Sequence, residues 1–407
     1  MFTKEDLSAY LEDLKHITAI DSPTEHIEGI NKIIDFFIKK AQEIGLTAIR
    51  KNYNKQSGDC LLLTNASDEE NIDILMLAHM DTVFKVGTAQ ERPFKIAGNK
   101  AFAPGVIDNK GGALLGLFAL KHIDLTQIKV ALLLNSNEEE GSKNNRKFIE
   151  ETSSRSKYAL TLEATRVSGA CVDKRLGQAT YKISFFGKPA SIYNFKEGAS
   201  PIFEMAKFVR SLEMLSNNHT GSLINAVILE TPAHDVNTVQ EEIHLGLQAR
   251  FAENRFYESI ESKIEQQQQN LPNNITMSIE KISYYPCLPQ SYKQKDLKRM
   301  VETAGNQMGW NITWEVSFGG SDGCFAALAE NCVVVDGMGP LGGSFHTEEE
   351  YLDISSVEPK CNIIIDIANQ IIKQKQMLLQ KEAQLEKNRL LREQRESKDK
   401  EKQNESK

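Results

Sequence analysis

The 407-residue sequence predicts an α/β fold, a largely parallel sheet flanked by helices, interrupted by an inserted α+β segment. Three observations predict it. Between about residues 25 and 170, unbroken apolar runs alternate with helical stretches, and a strand buried on both faces reads as such a run. From 178 to 284 the strands switch to polar–apolar alternation, as in a sheet covered on one face only. After 285 the first pattern returns.

The elements follow in order. The N-terminal stretch MFTKEDLSAYLEDLKHI sets Leu7, Leu11, Leu14 and Ile17 on one side of an amphipathic helix. Helices are predicted over 31–44 and 111–122, and buried strands over 73–78, 129–135 and 158–162. The inserted segment reads as strand 180–187, helix 201–215, strands 223–229 and 242–251, and helix 256–269. Helix 296–308, buried strand 332–336 and closing helix 356–373 complete the pattern. The expected division is therefore 1–177 and 285–372 for one α/β domain, 178–284 for an inserted lid, and 373–407 for a charged helical or disordered tail. The tail ends in SKDKEKQNESK, too polar to bury a core of its own.

Hydrophobic residues make up 40% and charged residues 26%, the balance of a globular protein with a large core. A net charge of −8 argues against nucleic acid and against an anionic membrane as partners. No window approaches the ~20 apolar residues of a membrane span, and the N-terminus has no apolar signal core. The six cysteines are scattered without a CxxC pair and read as buried thiols. A cytoplasmic location is the resulting expectation.

In an open α/β sheet the working edge lies where strands end. LMLAHMDTVF ends a strand with His79 and Asp81, which share a face at spacing i, i+2. A carboxylate behind a histidine fixes its tautomer and raises its basicity as a ligand. GVIDNKGG puts Asp108 in a turn before a helix, NSNEEEGS puts Glu138 and Glu139 after the next strand, and TLEAT puts Glu163 after the third. GGSFHTEEEYLD adds His346 after another buried strand. Each signal alone has an ordinary reading as a core histidine, a solvated turn or a helix cap. Their recurrence at five turns matches the histidine and carboxylate set that zinc accepts.

These five motifs, in this order, resemble the co-catalytic zinc peptidases, the family of glutamate carboxypeptidases, aminoacylases, peptidase T and succinyl-diaminopimelate desuccinylase. The resemblance covers about residues 5–372 and is closest to the bacterial glutamate carboxypeptidase branch. It implies a zinc exopeptidase-like fold with a lid that dimerises. It also implies two zinc ions, for which cobalt or manganese could substitute, bridged by Asp108. His79 and Glu163 would complete one site, and Glu139 and His346 the other. Glu138 would be general base and acid, and Asp81 would orient His79. In the lid, Arg250 (LGLQAR) would hold a substrate carboxylate and Asn237 (VNTV) would contact substrate, joined by backbone donors at Gly319 and Gly320 (SFGGSDG). The implied reaction is hydrolysis of an amide bond in a short peptide or N-acyl amino acid with a free carboxylate. The family typically has a cis peptide bond after its bridging aspartate.

Three departures qualify this. Asn109 stands where an aspartate is frequent. Ile192 stands in GKPASIYNF where the family has a histidine that stabilises the oxyanion, and His234 is a candidate replacement. Cys287 and Leu288 stand where a second arginine would select a glutamate side chain. An aminoacylase or deacylase on the same site, and a metal-retaining but catalytically weak binding protein, are the alternatives.

Overall fold

The computed structural model describes residues 1–405 apart from 55, 56, 218, 220, 233 and 234, and from 391 onward only the helical backbone. His234 therefore lies outside the described residues. The central sheet has six strands in the order Thr47–Lys51, Cys60–Thr64, Val130–Asn135, Ile72–His79, Ser156–Thr161 and Val333–Val335. The last four run parallel, and the first two add an antiparallel edge.

Alternate residues of the Ile72–His79 strand serve two cores. Ile74, Met76 and Ala78 pack with Leu114, Leu115 and Ile364 on one face. Leu75 and Leu77 pack with Phe148, Ile149 and Phe325 on the other. Helix Lys110–His122 lies between this strand and Val130–Asn135 in sequence, and helix Arg146–Ser154 leads on to Ser156–Thr161. The two crossovers lie on opposite faces, because their apolar residues belong to the two different cores. Ile72–His79 is thus the strand at which the sheet order reverses, and a crevice opens at its carboxyl end.

A second sheet is fully antiparallel, in the order Leu223–Glu230, Glu242–Phe251, Gly177–Phe186 and Thr276–Tyr285. Tyr181, Ile183, Phe185, Leu245 and Leu247 point from it into a core shared with Phe208 and Ile260 of helices Pro201–Glu213 and Asn254–Gln269. The opposite face carries Gln178, Thr180, Lys182, Gly246 and Gln248, and among the described residues both helices of this segment pack on the other side.

The α/β class with a largely parallel, helix-flanked sheet is the one the sequence predicts. Differences lie in the details. Helix Ile27–Glu43 begins before residue 31, the predicted start. The Thr276–Tyr285 strand was not expected. It is an edge strand, mostly exposed, and a bulge between Lys281 and Ser283 breaks its period-2 pattern. The closing helix does not stop near 373 but continues as Val357–Glu405. Among the described residues, no helix is long and apolar enough to cross a membrane.

Candidate functional site

His79 ends its strand fully buried, at 1% exposure, so the imidazole stands at the crevice with no freedom to turn into solvent. Its Nε2 lies 3.0 Å from Asp108 Oδ1 and 3.7 Å from Glu163 Oε1. The other oxygen of Asp108, Oδ2, lies 3.1 Å from His346 Nε2, which in turn lies 3.4 Å from Glu139 Oε2. Asp108 therefore stands between two histidine–carboxylate pairs, one on each of its oxygens. Ligand atoms of His79, Asp108 and Glu139 all fall within 4.8 Å of one another.

The backbone explains this convergence. His79, the Glu138–Glu139 turn and Glu163 follow adjacent parallel strands, so they meet at one edge. Asp108 precedes helix Lys110–His122 through a cis peptide bond to Asn109. Glu350 holds this turn, accepting from the Gly105, Ile107 and Asp108 amides at 3.0–3.1 Å. His346 sits in a left-handed backbone conformation, φ 61°, with Ser344 at 58°.

Asp81 does more than the spacing indicated. His79 Nδ1 lies 3.0 Å from the Asp81 main-chain carbonyl and 3.4 Å from its carboxylate. The carboxylate itself accepts the amides of Glu138 and Glu139, each at 3.1 Å, and the Thr24 hydroxyl at 2.7 Å. It ties the turn bearing the two glutamates to the strand bearing His79. Tyr285 donates its hydroxyl to the Glu138 carbonyl at 2.6 Å and to Glu138 Oε1 at 3.1 Å.

Burial crowds the charged groups of the cluster together. Burial and neighbouring carboxylates push Glu138 well above the ordinary carboxylate range. Burial and the charge on Asp108 lift Glu139 to about 8. Burial, opposed by His79 and reinforced by Asp108, lifts Glu163 to about 7. Asp108 goes the other way: burial opposes its ionisation, but bonds from His346 and His79 hold it below the usual range. Burial disfavours a charged His79, yet Asp108 and Asp81 raise its pKa, and the Asp108 bond raises His346 to about 9. Glu139 Oε1 is buried with no hydrogen-bond partner. An orphaned buried carboxylate oxygen among acids and imidazoles fits a divalent-metal ligand set.

The cluster opens into a cavity of about 580 Å³ lined by Glu138, Glu139, His346, Gln178, Tyr285, Gly319 and Gly320. Gly319 and Gly320 are thus brought to the site. Their carbonyls accept from Arg175 Nη1 at 3.0 and 3.1 Å. Arg175 is itself buried and grips Asp336 with two bonds of 2.6 and 2.9 Å. Arg250 reaches the same loop by donating to the Phe318 carbonyl. Asn237 and Ile192 do not line the cavity. They pair with each other, the Ile192 amide donating to the Asn237 carbonyl at 2.8 Å, and Ile192 is exposed on a short 3₁₀ segment.

Sequence reasoning missed Glu350, Tyr285, Arg175, Asp336 and Asp322. Asp322 lies fully buried and accepts from Asn135 Nδ2 at 2.9–3.0 Å and from Ser142 Oγ at 2.5 Å. It clasps both ends of the glutamate turn to the SFGGSDG loop. Its place in that motif, after a serine and before a glycine, was the available signal.

A model of the peptidase family M20/M25/M40 matches residues 75–370. Carboxypeptidase G2 of Pseudomonas sp. (strain RS-16) is 25% identical over 374 residues, covering 87% of each chain. Among solved structures, aminopeptidase PepT from Bacillus cereus superposes with a TM-score of 0.69 at 18% identity, over 89% of this chain and 98% of that one. An M20 family metallo-carboxypeptidase from Sulfolobus solfataricus gives 0.62 at 16% identity, over 88% and 98%.

Proposed function

Because the chain belongs to peptidase family M20/M25/M40, and is therefore a hydrolase acting on peptide bonds, we propose that it is a dinuclear zinc carboxypeptidase. Its substrate is a short peptide or N-acyl amino acid with a free C-terminal carboxylate. The observation that carries this reading is Asp108, with one oxygen on His79 and the other on His346. Asp108 with His79 and Glu163 would hold one ion, and Asp108 with Glu139 and His346 would hold the other. Such ions, when bound, would supply polarisation of the scissile carbonyl and acidification of the attacking water.

Glu138 is the general base. Tyr285 occupies its Oε1, which leaves the second oxygen to take the proton from water and pass it to the leaving amine. Asp81 keeps this glutamate in register with His79 through the two amides it accepts. Arg250 is the carboxylate anchor, since a planar guanidinium suits a carboxylate and its Phe318 bond places it beside the loop of Gly319 and Gly320. Asn237, which precedes the short Thr238–Val239 strand and lies off the catalytic cavity, would reach substrate only if the inserted segment closes toward it.

The chain acts as a cytoplasmic homodimer. The six buried free cysteines suit a reducing compartment. The Leu223–Glu230 edge strand exposes Val227, Ile228 and Leu229, an unpaired edge suited to a second copy. The test is metal analysis of purified protein with hydrolysis of dipeptides and N-acyl amino acids by wild type and Glu138→Gln. The expected result is bound metal in both and turnover in wild type alone. Equal turnover in the variant overturns the role of Glu138, and metal without turnover of any substrate favours a binding protein, which Ile192 would explain.

A further inference from the structure

The face of the inserted sheet turned away from its two helices holds a second cavity, of about 440 Å³. Ile228, Gly246 and Ile282 form its apolar floor, with Thr180, Lys182 and Gln248 around them. Ile282 also lines the catalytic cavity, so the two spaces adjoin. The strand register leads from one to the other. Gln178 pairs with Arg250, Thr180 with Gln248, and Lys182 with Gly246, all on one face. The first pair lies at the catalytic cavity and its loop, and the next two run outward into the second cavity.

Gly246 creates much of this space. A Cβ there would come within 3.0 Å of Ile228 Cβ, so any side chain would project into the cavity or press on its floor. An apolar floor with a polar rim is the usual build of a pocket for part of a small ligand.

We propose that this cavity is the specificity pocket for a large apolar side chain, aliphatic or aromatic, on the C-terminal residue of the substrate. The proposal rests on the carboxypeptidase reading. With the substrate carboxylate on Arg250, the side chain of that same residue faces the next row of the sheet, at Thr180 and Gln248. The pocket offers that side chain apolar surface from Ile228 and Ile282. Lys182, Glu230 and His244 also line the cavity, and Glu230 and His244 pair on the row beyond Ile228 and Gly246.

Two measurements test it. In the first, kcat/KM is compared for N-acetyl amino acids and alanyl dipeptides ending in Phe, Leu, Ala or Glu. Phe and Leu are expected to exceed Ala and Glu by about tenfold or more, the worth of burying one such side chain. Gly246→Val and Gln248→Trp, which fill the pocket from two rows of the sheet, should erase the preference by lowering kcat/KM for the Phe and Leu substrates more than for the Ala substrate. In the second, calorimetry follows binding of N-acetyl-phenylalanine and N-acetyl-alanine to the metal-loaded protein, with no turnover required. Tighter binding of the phenylalanine compound, lost in both variants, supports the pocket even if hydrolysis fails. Equal handling of Phe and Ala by wild type overturns it. So does an equal loss on both in variants that keep the wild-type melting temperature.

Discussion

Replacing Asp322 with alanine tests how the glutamate turn is held. Asp322 is buried at 2% exposure and accepts from two buried donors, Asn135 Nδ2 and Ser142 Oγ. Removing it leaves both donors in the interior without that acceptor. Each such loss costs about 1–3 kcal/mol, so about 2–6 kcal/mol for the pair. Burial of the Asp322 carboxylate, which pushes it up to about 6, is itself unfavourable, and its removal returns part of that cost. The lower end, about 2–3 kcal/mol, is therefore expected. Equilibrium urea unfolding of metal-free protein measures it without a contribution from metal binding. Asp322→Asn keeps the volume and one acceptor and should lose less. A change under about 0.5 kcal/mol in Asp322→Ala would show that Asp322 does not hold the turn.

Other outcomes follow from the same contacts. Arg175→Lys keeps the charge but cannot make both bonds to Asp336 and still reach the Gly319 and Gly320 carbonyls, so it should destabilise by about 3 kcal/mol or more in thermal or urea unfolding. Tyr285→Phe removes one donor from Glu138 and should lower kcat by up to about tenfold, with metal content unchanged by elemental analysis. Gly112→Ala would set a Cβ 2.1 Å from Asn109 Oδ1 and 2.2 Å from the Leu162 carbonyl, so a loss of soluble yield or of several degrees in Tm is expected.

Much of the site was legible because parallel strands deliver their last residues to one edge. Once LMLAHMD was read as a buried strand, His79 had to stand at the crevice, and the same logic located Glu138, Glu139 and Glu163. His346 was harder, since its loop follows a strand of only three residues. What stayed hidden acts through the backbone or from far along the chain. Glu350 is one of three consecutive glutamates, and nothing local marks it as the one that accepts three amides. Tyr285 ends the exposed, bulged strand whose pattern the alternation did not reveal. Arg175 and Asp336 lie 161 residues apart, and only the fold makes them a pair. The open face of the inserted sheet was visible as alternation, but its cavity depends on Gly246 lying opposite Ile228 on the neighbouring strand.

Anomalous diffraction at the zinc edge, on crystals grown with zinc, would show how many ions Asp108 holds. Two peaks flanking Asp108, one between His79 and Glu163 and one between Glu139 and His346, are expected. A single peak, or none within coordination distance of Asp108, would rule out the shared aspartate.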